Sequence, residues 1–267
     1  MVMVDKGIFD LSGKVALVTG AGSGLGRAFA EAMAEYGADV VCNGRDIDKI
    51  SETVQQIKKY GHRAIAIKAD VSKQDEVQRM VDETVSTLGK IDILFNNAGI
   101  TGPTKKIHET TLDEWDTILN TNLKGVLLVM KYVLPIMIQN KSGSIINIAS
   151  LAGVRGTVYL AHPSYGASKA AVINLTQVAA MQYVNDGIRV NCIAPGMHKS
   201  SLARPKDPLL RQQREEFLER HSAANVPMGR MAAASEMKGL AILLASNASS
   251  YITGQVFIQD GGQSLKM

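Results

Sequence analysis

The chain carries the stretch "TGAGSGLG" at Thr19–Gly26, in which glycine occupies four alternate positions. An apolar run, Val15–Val18, precedes this stretch, and a segment with helical periodicity, Arg27–Tyr36, follows it. At the start of a helix the backbone N–H groups have no partner, and the helix dipole adds positive potential. Glycines would let a pyrophosphate approach these donors because no Cβ stands in the way. A plain strand-to-helix turn is the alternative interpretation, since glycine-rich turns are common.

Short β-rich runs alternate with helical segments along all 267 residues. Strands of this mostly continuous apolar kind predict a parallel sheet with helices on both faces. Right-handed crossovers then give an α/β fold, a Rossmann-type doubly wound sheet of about seven mainly parallel strands, in a single domain over residues 1–267. The predicted strands are Val15–Thr19, Asp39–Asn43, Ala64–Ala69, Ile91–Asn96, Ser144–Ala149, Arg189–Ile193 and Gln255–Gln259, and the predicted helices are Arg27–Tyr36, Ile47–Tyr60, Lys73–Leu88, Leu112–Gln139, Tyr165–Val184 and Glu236–Ser246.

The composition argues against a membrane or a nucleic acid as the partner. Close to half of the residues are apolar, which suits a large core, but we find no run of the roughly 18 uncharged apolar residues that a membrane helix needs. The start, "MVMVDKGIFDLSG", does not resemble a signal peptide. The 29 basic and 25 acidic side chains are interspersed, without the basic block typical of nucleic-acid binding.

The cysteines and histidines give no sign of a disulfide or of a metal site. Cys42 and Cys192 both lie in predicted strands, so we interpret them as buried, reduced residues of a cytoplasmic protein. The five histidines have no metal-ligand spacing to one another or to the cysteines, so we expect no catalytic metal.

Six further features, in a fixed order along the chain, support one resemblance. The chain resembles the short-chain dehydrogenase/reductase family, and its glycine pattern TGxxxGxG is that of the branch of about this length rather than the TGxxGxxG of the extended branch. The matching segments after "TGAGSGLG" are "NNAG" at Asn96–Gly99, "NTNLKG" with Asn122, "IAS" with Ser150, "YGASK" with Tyr165 and Lys169, "GIRVNCIAPG" and "TGQVFIQDGG".

Tyr165 and Lys169 are four residues apart in a predicted helix, so they share one face of it. A free tyrosine has a pKa near 10, and a neighbouring ammonium favours the phenolate, which makes a general acid/base nearer neutral pH. Taken alone, such a pair would more simply be a surface pair. The resemblance implies that Tyr165 exchanges a proton with the substrate, that Lys169 binds the nicotinamide ribose and lowers the tyrosine pKa, that Ser150 hydrogen-bonds the substrate oxygen, and that Asn122 holds a water linked to Lys169. The alternative for Asn122 is an asparagine that bends the helix, and both interpretations can hold at once.

The second predicted strand ends in "DVVCNGRD", which bears on the choice of cofactor. A carboxylate at the strand tip would select NAD, but that position falls on Gly44. Arg45 follows and can pair with a 2′-phosphate, while Asp46 fits the N-cap of the next helix. We therefore favour NADP, with NAD as the alternative and an exposed loop charge as the simpler interpretation of Arg45.

The resemblance implies an NAD(P)-dependent dehydrogenase or reductase acting on a small-molecule secondary alcohol or carbonyl. A cofactor-binding regulatory or scaffold protein without turnover is the alternative, and the intact set of Asn122, Ser150, Tyr165 and Lys169 argues against it. The expected cofactor contacts are Gly20, Ser23, Gly24, Leu25, Gly26, Arg45, Asp70, Val71, Asn97, Ala98, Gly99, Tyr165, Lys169, Pro195, Gly196, Met197 and Ser200. Polyols, sugar acids, 3-oxoacyl thioesters, steroids and small cyclic alcohols all remain open as substrates.

Residues 198–233 form the least regular stretch, which we interpret as a substrate lid or, alternatively, a solvated insert. Substrate contacts are expected from residues 152–162 and 197–202. His162 is better explained as a loop side chain satisfied by backbone than as a substrate contact. The predicted helix Tyr165–Val184 and the second half of Leu112–Gln139 are apolar nearly all round, which indicates burial against another subunit in a dimer or tetramer rather than beneath extra loops.

Overall fold

The computed structural model describes residues 7–156, 162–199, 202 and 207–266. Seven strands form one sheet in the order 3-2-1-4-5-6-7, and each neighbouring pair is parallel. The predicted doubly wound sheet is thereby confirmed. The strands are β1 Val15–Val18, β2 Asp39–Gly44, β3 Ala64–Lys68, β4 Ile93–Asn96, β5 Gly143–Ile148, β6 Ile188–Pro195 and β7 Val256–Gln259.

Helices cover both faces of the sheet. Side chains of α1, α2 and α9 form the apolar core on one face, and side chains of α3, α5 and α7 form it on the other. On the first face the rings of Phe29 and Phe95 stack with their centroids 4.8 Å apart. Among the described residues the α-helices are α1 Gly24–Glu35, α2 Ile47–Lys58, α3 Gln74–Leu88, α4 Leu112–Leu119, α5 Gly125–Asn140, α6 Leu151–Val154, α7 Pro163–Tyr183, α8 Pro208–Asn225 and α9 Lys238–Ala245.

The predicted helix Leu112–Gln139 is interrupted in the structure. A π-helical turn, Asn120–Lys124, separates α4 from α5 and widens the backbone there by one residue per turn. Apolar periodicity continues across this turn, so the sequence predicts one uninterrupted helix there.

The expectation that no segment could pass for a membrane span needs correction. The helical stretch Leu112–Asn140 is long and apolar enough by composition, with a mean hydropathy of 1.4 over its best 18 residues. Half of that window is buried inside the protein, where Val129 and Val133 belong to the core beneath the sheet. A core helix covered on its inner face gives the same composition as a span.

The stretch predicted to be irregular contains an 18-residue helix, α8. Ser222 is the helix residue that becomes buried, so the helix packs little apolar surface and shows little apolar periodicity in the sequence. The remainder of the expected lid falls partly outside the described residues, including Arg204 and Lys206.

Both cysteines are free and fully buried, one on β2 and one on β6. Burial raises the pKa of Cys42 to about 12 and that of Cys192 to about 11. Thiols with such pKa values stay protonated at neutral pH and are chemically inert, as expected for packing residues.

Candidate active site

A cavity of about 470 Å³ lies at the carboxyl ends of the strands, where the strand order reverses between β1 and β4. Open α/β sheets bind their ligands at this switch point. Asn122 and Met197 are not among the residues that line the cavity, and Ser200 lies outside the described residues. Of the residues predicted for the site, the lining brings together Gly20, Ser23, Gly24, Leu25, Gly26, Arg45, Asp70, Val71, Asn97, Ala98, Gly99, Ser150, Tyr165, Lys169, Pro195 and Gly196.

The glycine turn at the start of α1 leaves no room for side chains. Gly20 has φ +67°, and an added Cβ there would lie 2.9 Å from Asn97 Nδ2. An added Cβ on Gly26 would overlap the carbonyl oxygen of Gly20. The first turn of α1 therefore packs directly on the backbone after β1, and its N–H groups face the cavity end of the sheet.

Thr19 ties this turn to the segment "NNAG" after β4. Its hydroxyl donates to the carbonyl of Phe95 at 3.1 Å and accepts from the backbone N–H groups of Asn97 at 2.9 Å and Ala98 at 3.1 Å. The Asn97 amide donates back to the Thr19 carbonyl at 2.9 Å. These bonds fix the two loops that border one end of the cavity.

Arg45 and Asp70 lie at the tips of β2 and β3. The Arg45 guanidinium is 65% exposed and stands 4.0 Å from the Asp70 carboxylate. Asp46 is the N-cap of α2 and accepts from the Lys49 N–H at 3.3 Å, as predicted, so its carboxylate is used by the helix.

Asn43 is a lining residue that the sequence analysis did not assign to the site. Its side-chain amide is fully buried and donates to the carbonyls of Ile67 at 3.1 Å and Ala69 at 3.2 Å, while its Oδ1 has no hydrogen-bond partner. The signal in the sequence is a lone amide within the apolar run "DVVCNG", where an unpartnered polar group would be costly.

Tyr165 and Lys169 lie one turn apart on α7 at the other end of the cavity, and both are buried. Burial raises the pKa of Tyr165, against a side-chain hydrogen bond from Ser150 that lowers it. Burial lowers the pKa of Lys169 to about 8, and its Nζ donates to the carbonyl of Ile148 at 2.7 Å.

This electrostatic balance differs from the sequence expectation, in which Lys169 lowers the pKa of Tyr165. In the folded protein the loss of water around the phenol outweighs its other interactions. The Lys169 Nζ lies 5.8 Å from the centre of the tyrosine ring and donates its hydrogen bond to the Ile148 carbonyl.

Asn122 lies in the π-helical turn and is completely buried. Its Oδ1 accepts from the N–H of Ile100 at 2.8 Å, and its Nδ2 donates to the carbonyl of Ile100 at 2.9 Å and to Ser168 Oγ at 3.1 Å. The side chain thus joins the loop after β4 to α7 one residue before Lys169. The structure gives Asn122 a direct holding function that the sequence analysis did not foresee.

The expected substrate side is only partly described. Residues 157–161, among them Tyr159, lie outside the described residues. Arg155 points to the carbonyls of Gln263, Ser264 and Lys266, at 3.4, 2.9 and 3.2 Å. Arg155 lies within the range 152–162 that is expected to contact the substrate, and its guanidinium is used by the chain itself.

Three polar atoms on residues of the cavity lining are buried without a hydrogen-bond partner, namely Asn43 Oδ1, Thr101 Oγ1 and His198 Nε2. His198 Nδ1 lies 3.2 Å from the Gly196 carbonyl and so must carry the hydrogen. Burial lowers the pKa of His198, which keeps the ring neutral and leaves Nε2 as an acceptor. No group of three or more His, Cys, Asp or Glu side chains that could hold a metal ion occurs in the described part of the chain.

Comparisons with known proteins agree with this geometry. A family model described as enoyl-(acyl carrier protein) reductase matches residues 20–264. The 3-oxoacyl-[acyl-carrier-protein] reductase FabG of Staphylococcus epidermidis is 39% identical over 250 residues, which are 93% of this chain and 98% of that protein.

Two solved structures are similar over nearly their whole length. A short-chain type dehydrogenase/reductase from Mycobacterium marinum is 36% identical with a TM-score of 0.89, covering 96% of this chain and 97% of that one. A gluconate 5-dehydrogenase from Burkholderia cenocepacia J2315, in complex with NADP and tartrate, is 32% identical with a TM-score of 0.87, covering 97% and 98%. With a family model over most of its length and relatives above 30% identity, the protein belongs to the short-chain dehydrogenase/reductase family of oxidoreductases.

Proposed function

We propose that the protein is an NADP-dependent oxidoreductase that interconverts a secondary alcohol and a carbonyl compound, with Tyr165 as the general acid/base. One observation carries the proposal: Ser150, Tyr165 and Lys169 meet at one end of a cavity whose other end is a glycine turn at a helix start. The first set suits proton exchange with an oxygen, and the second suits a pyrophosphate.

The residues present fit a dinucleotide. The glycine turn exposes backbone N–H groups and would be blocked by a Cβ at Gly20 or Gly26, which is the construction expected where a pyrophosphate approaches a backbone. Gly99 lies against Asn122, since an added Cβ would come within 3.2 Å of its Oδ1, a tight contact. Lys169 would bind the nicotinamide ribose, and the nicotinamide would supply or accept the hydride.

Tyr165 would exchange a proton with the substrate oxygen. Because burial raises its pKa, the phenol holds its proton at neutral pH and can donate it from Oη to a substrate oxygen during reduction. In the reverse direction the Ser150 hydrogen bond, which lowers the same pKa, would stabilise the phenolate. Ser150 has one hydroxyl hydrogen, so it would donate to the substrate oxygen, and fix its position, only when it is not donating to Tyr165.

Asn122 would act in this site mainly through Ile100. Its amide holds both backbone groups of Ile100 and also bonds Ser168 on the tyrosine helix. A link through water from Asn122 to Lys169 remains our expectation from the family resemblance. The described bonds leave one lone pair on Oδ1 for such a contact.

Arg45 supports NADP over NAD. Its guanidinium is largely exposed at the tip of β2, beside a glycine where NAD selection would place a carboxylate. The Asp46 carboxylate caps α2, so it does not offset the Arg45 charge where the adenosine ribose would bind. The similar Burkholderia gluconate 5-dehydrogenase was solved with NADP bound, which agrees with this choice.

The substrate class is best approached through the chemistry of the relatives. FabG is a reductase of 3-oxoacyl groups, and the Burkholderia enzyme, a gluconate dehydrogenase, holds tartrate. Thr101 Oγ1 and His198 Nε2 lack partners on the lining, so a substrate with hydroxyl groups would satisfy them. Hydroxy acids and 3-oxo compounds therefore come first in a test.

A turnover screen tests the proposal. Purified protein is mixed with sugar acids, polyols, 3-oxoacyl thioesters and cyclic ketones, each with NADP(H) and NAD(H), and nicotinamide absorbance is followed. We expect turnover with at least one compound, and Tyr165→Phe to lower kcat by about 10²- to 10⁴-fold while cofactor binding persists. Cofactor binding without turnover across the panel would favour a regulatory or scaffold protein. Unchanged turnover in Tyr165→Phe would reject the role of Tyr165.

The assembly and compartment belong to the same proposal. Met181 and Val178 on α7 and Leu127 on α5 are exposed by 81%, 42% and 49%, which supports burial of these helices in a dimer or tetramer. Light scattering after gel filtration should give such an assembly, and a monomer at micromolar concentration would contradict it. The two free, buried cysteines agree with a cytoplasmic location.

A further inference from the structure

His162 is a buried histidine outside the proposed proton path. Its side chain is completely shielded from solvent, and it is absent from the described lining of the cavity. Nevertheless it contacts three separate parts of the chain: the first turn of α7, the start of α4, and the loop after β4. Each contact uses a different part of the imidazole.

The contact with α7 is a helix cap. His162 Nδ1 accepts from the backbone N–H of Ser164 at 3.3 Å, and the His162 carbonyl accepts from the N–H of Tyr165 at 2.9 Å. Pro163 occupies the first helical position, where it has no N–H to satisfy. His162 therefore defines the turn on which Tyr165 is placed.

The contact with α4 uses the other nitrogen. Because Nδ1 accepts, Nε2 carries a ring hydrogen; it lies 3.7 Å from the Glu114 carboxylate, beyond hydrogen-bond distance. Glu114 is itself fixed, since it accepts from the Lys105 ammonium at 2.6 Å and from the N–H of Thr111 at 3.1 Å. The Lys105 hydrogen bond, the largest cause, helps to lower the pKa of Glu114 to about 2, so the carboxylate is charged.

The contact with the loop depends on a glycine. An added Cβ on Gly102 would lie 2.8 Å from His162 Cγ and 2.9 Å from Cδ2. Gly102 has no positive φ, so the requirement for glycine here comes from the closeness of the ring rather than from the backbone conformation. The imidazole thus packs directly against the backbone of the loop that begins with the "NNAG" segment.

We infer that His162 is a positioning residue that sets the place of Tyr165 relative to the loop and to α4. The inference rests on the proposed function, because it gives Tyr165 its role. His162 holds this position in two ways: its Nδ1 caps α7 by a hydrogen bond, and its ring packs against Gly102. Loss of the cap lets the first turn of α7 fray, and a small misplacement of a proton donor is enough to slow proton transfer.

The test compares His162→Leu with His162→Asn. Leucine keeps apolar bulk but cannot cap, whereas asparagine is among the best capping residues. We expect Leu to lower kcat for the most active compound of the screen by about 10- to 100-fold, with KM for NADPH little changed, and Asn to restore most of it. Hydrogen exchange at residues 164–169 should speed up about fivefold in Leu and return toward the parent in Asn.

Gly102→Ala provides a second route if the leucine protein does not fold. It displaces the ring without changing His162, and Gly239→Ala on α9 is its control, because an added Cβ there has nothing within 4 Å. A normal kcat and normal exchange in Gly102→Ala, or in His162→Leu, would overturn the inference. An asparagine variant as slow as the leucine variant would also overturn it, since the cap would then not be the cause.

These outcomes are separable from a failure of the proposed function. If the screen gives no turnover, or if Tyr165→Phe remains active, the proposed chemistry fails. Hydrogen exchange in the first turn of α7 still decides whether His162 orders that turn, because it needs no substrate.

Discussion

The two ends of the cavity are built from different chemical groups. At the glycine turn the groups proposed to bind the cofactor are backbone N–H donors, and the side chains of Thr19 and Asn97 hold the loops together. At the tyrosine end the groups proposed to exchange the proton are side chains, and burial shifts the pKa values of Tyr165 and Lys169 in opposite directions. One end depends on the absence of side-chain atoms, and the other depends on titratable groups that are buried away from water. Substitutions should therefore fail in different ways at the two ends.

The largest effect on stability is expected at Lys169. Burial lowers its pKa from 10.5 to about 8, so below pH 8 the folded protein holds a buried ammonium at a cost on the order of 3 kcal/mol. Between pH 8 and 10.5 the unfolded chain still binds the proton that the folded protein has lost, so this cost disappears as the pH rises. Urea unfolding of Lys169→Met and of the parent at several pH values should show this change in the free energy of unfolding.

The quantity to compare is the difference between the two proteins at each pH. The free energy of unfolding of Lys169→Met should exceed that of the parent most at pH 7, and this difference should narrow toward pH 10. If the two free energies of unfolding ran parallel across this pH range, the lysine would keep its ordinary pKa in the folded protein. Burial would then not distinguish the tyrosine end from the glycine end.

At the glycine end, Gly26→Ala should damage binding and folding together. The added methyl group overlaps the Gly20 carbonyl, and forced overpacking of this kind costs about 1–3 kcal/mol. NADPH affinity should fall at least about tenfold, because the N–H donors move with the turn. Gly239→Ala is the matched control and should be neutral or slightly stabilising. Calorimetric titration with NADPH and thermal unfolding measure both effects, and an intact affinity in Gly26→Ala would contradict the pyrophosphate assignment.

The smallest effect concerns the choice between cofactors. Arg45→Glu should weaken NADPH binding about tenfold or more and leave NADH binding nearly unchanged, since only NADPH offers a 2′-phosphate to the guanidinium. Lys59→Glu, the same charge change just past the end of α2, should leave both unchanged. Fluorescence titration with each cofactor decides the matter, and equal losses for NADPH and NADH would reject the 2′-phosphate contact.

The same contrast explains what could be read from the sequence. Glycine is required at 20 and 26 for reasons of space and is favoured at 24 by a φ of 55°, so the pattern is visible in one sequence. The alternation of apolar runs likewise predicted all seven strands, since parallel strands are buried on both faces.

The burial and pKa values at the tyrosine end were harder to predict from the sequence, because they arise from contacts between segments that are distant along the chain. Spacing predicts that Tyr165 and Lys169 share a face of α7, but burial of that face depends on the loops and helices packed around it. The pairing of Arg155 with the segment 263–266 joins residues more than a hundred positions apart, and no local pattern announces it. The π-helical turn was hidden for a related reason, since a single extra residue per turn hardly disturbs apolar periodicity.

That turn has a consequence for comparing this chain with its relatives. Deleting one residue within Asn120–Lys124 would restore a regular α-helix with α4 and α5 still in phase, because a single π turn accommodates one extra residue. The side chains inside the turn would change direction, however, so the Asn122 amide would lose its alignment with Ile100 and Ser168. An alignment gap placed in this stretch is therefore not a neutral choice. It predicts a relative whose loop after β4 is held by some other means.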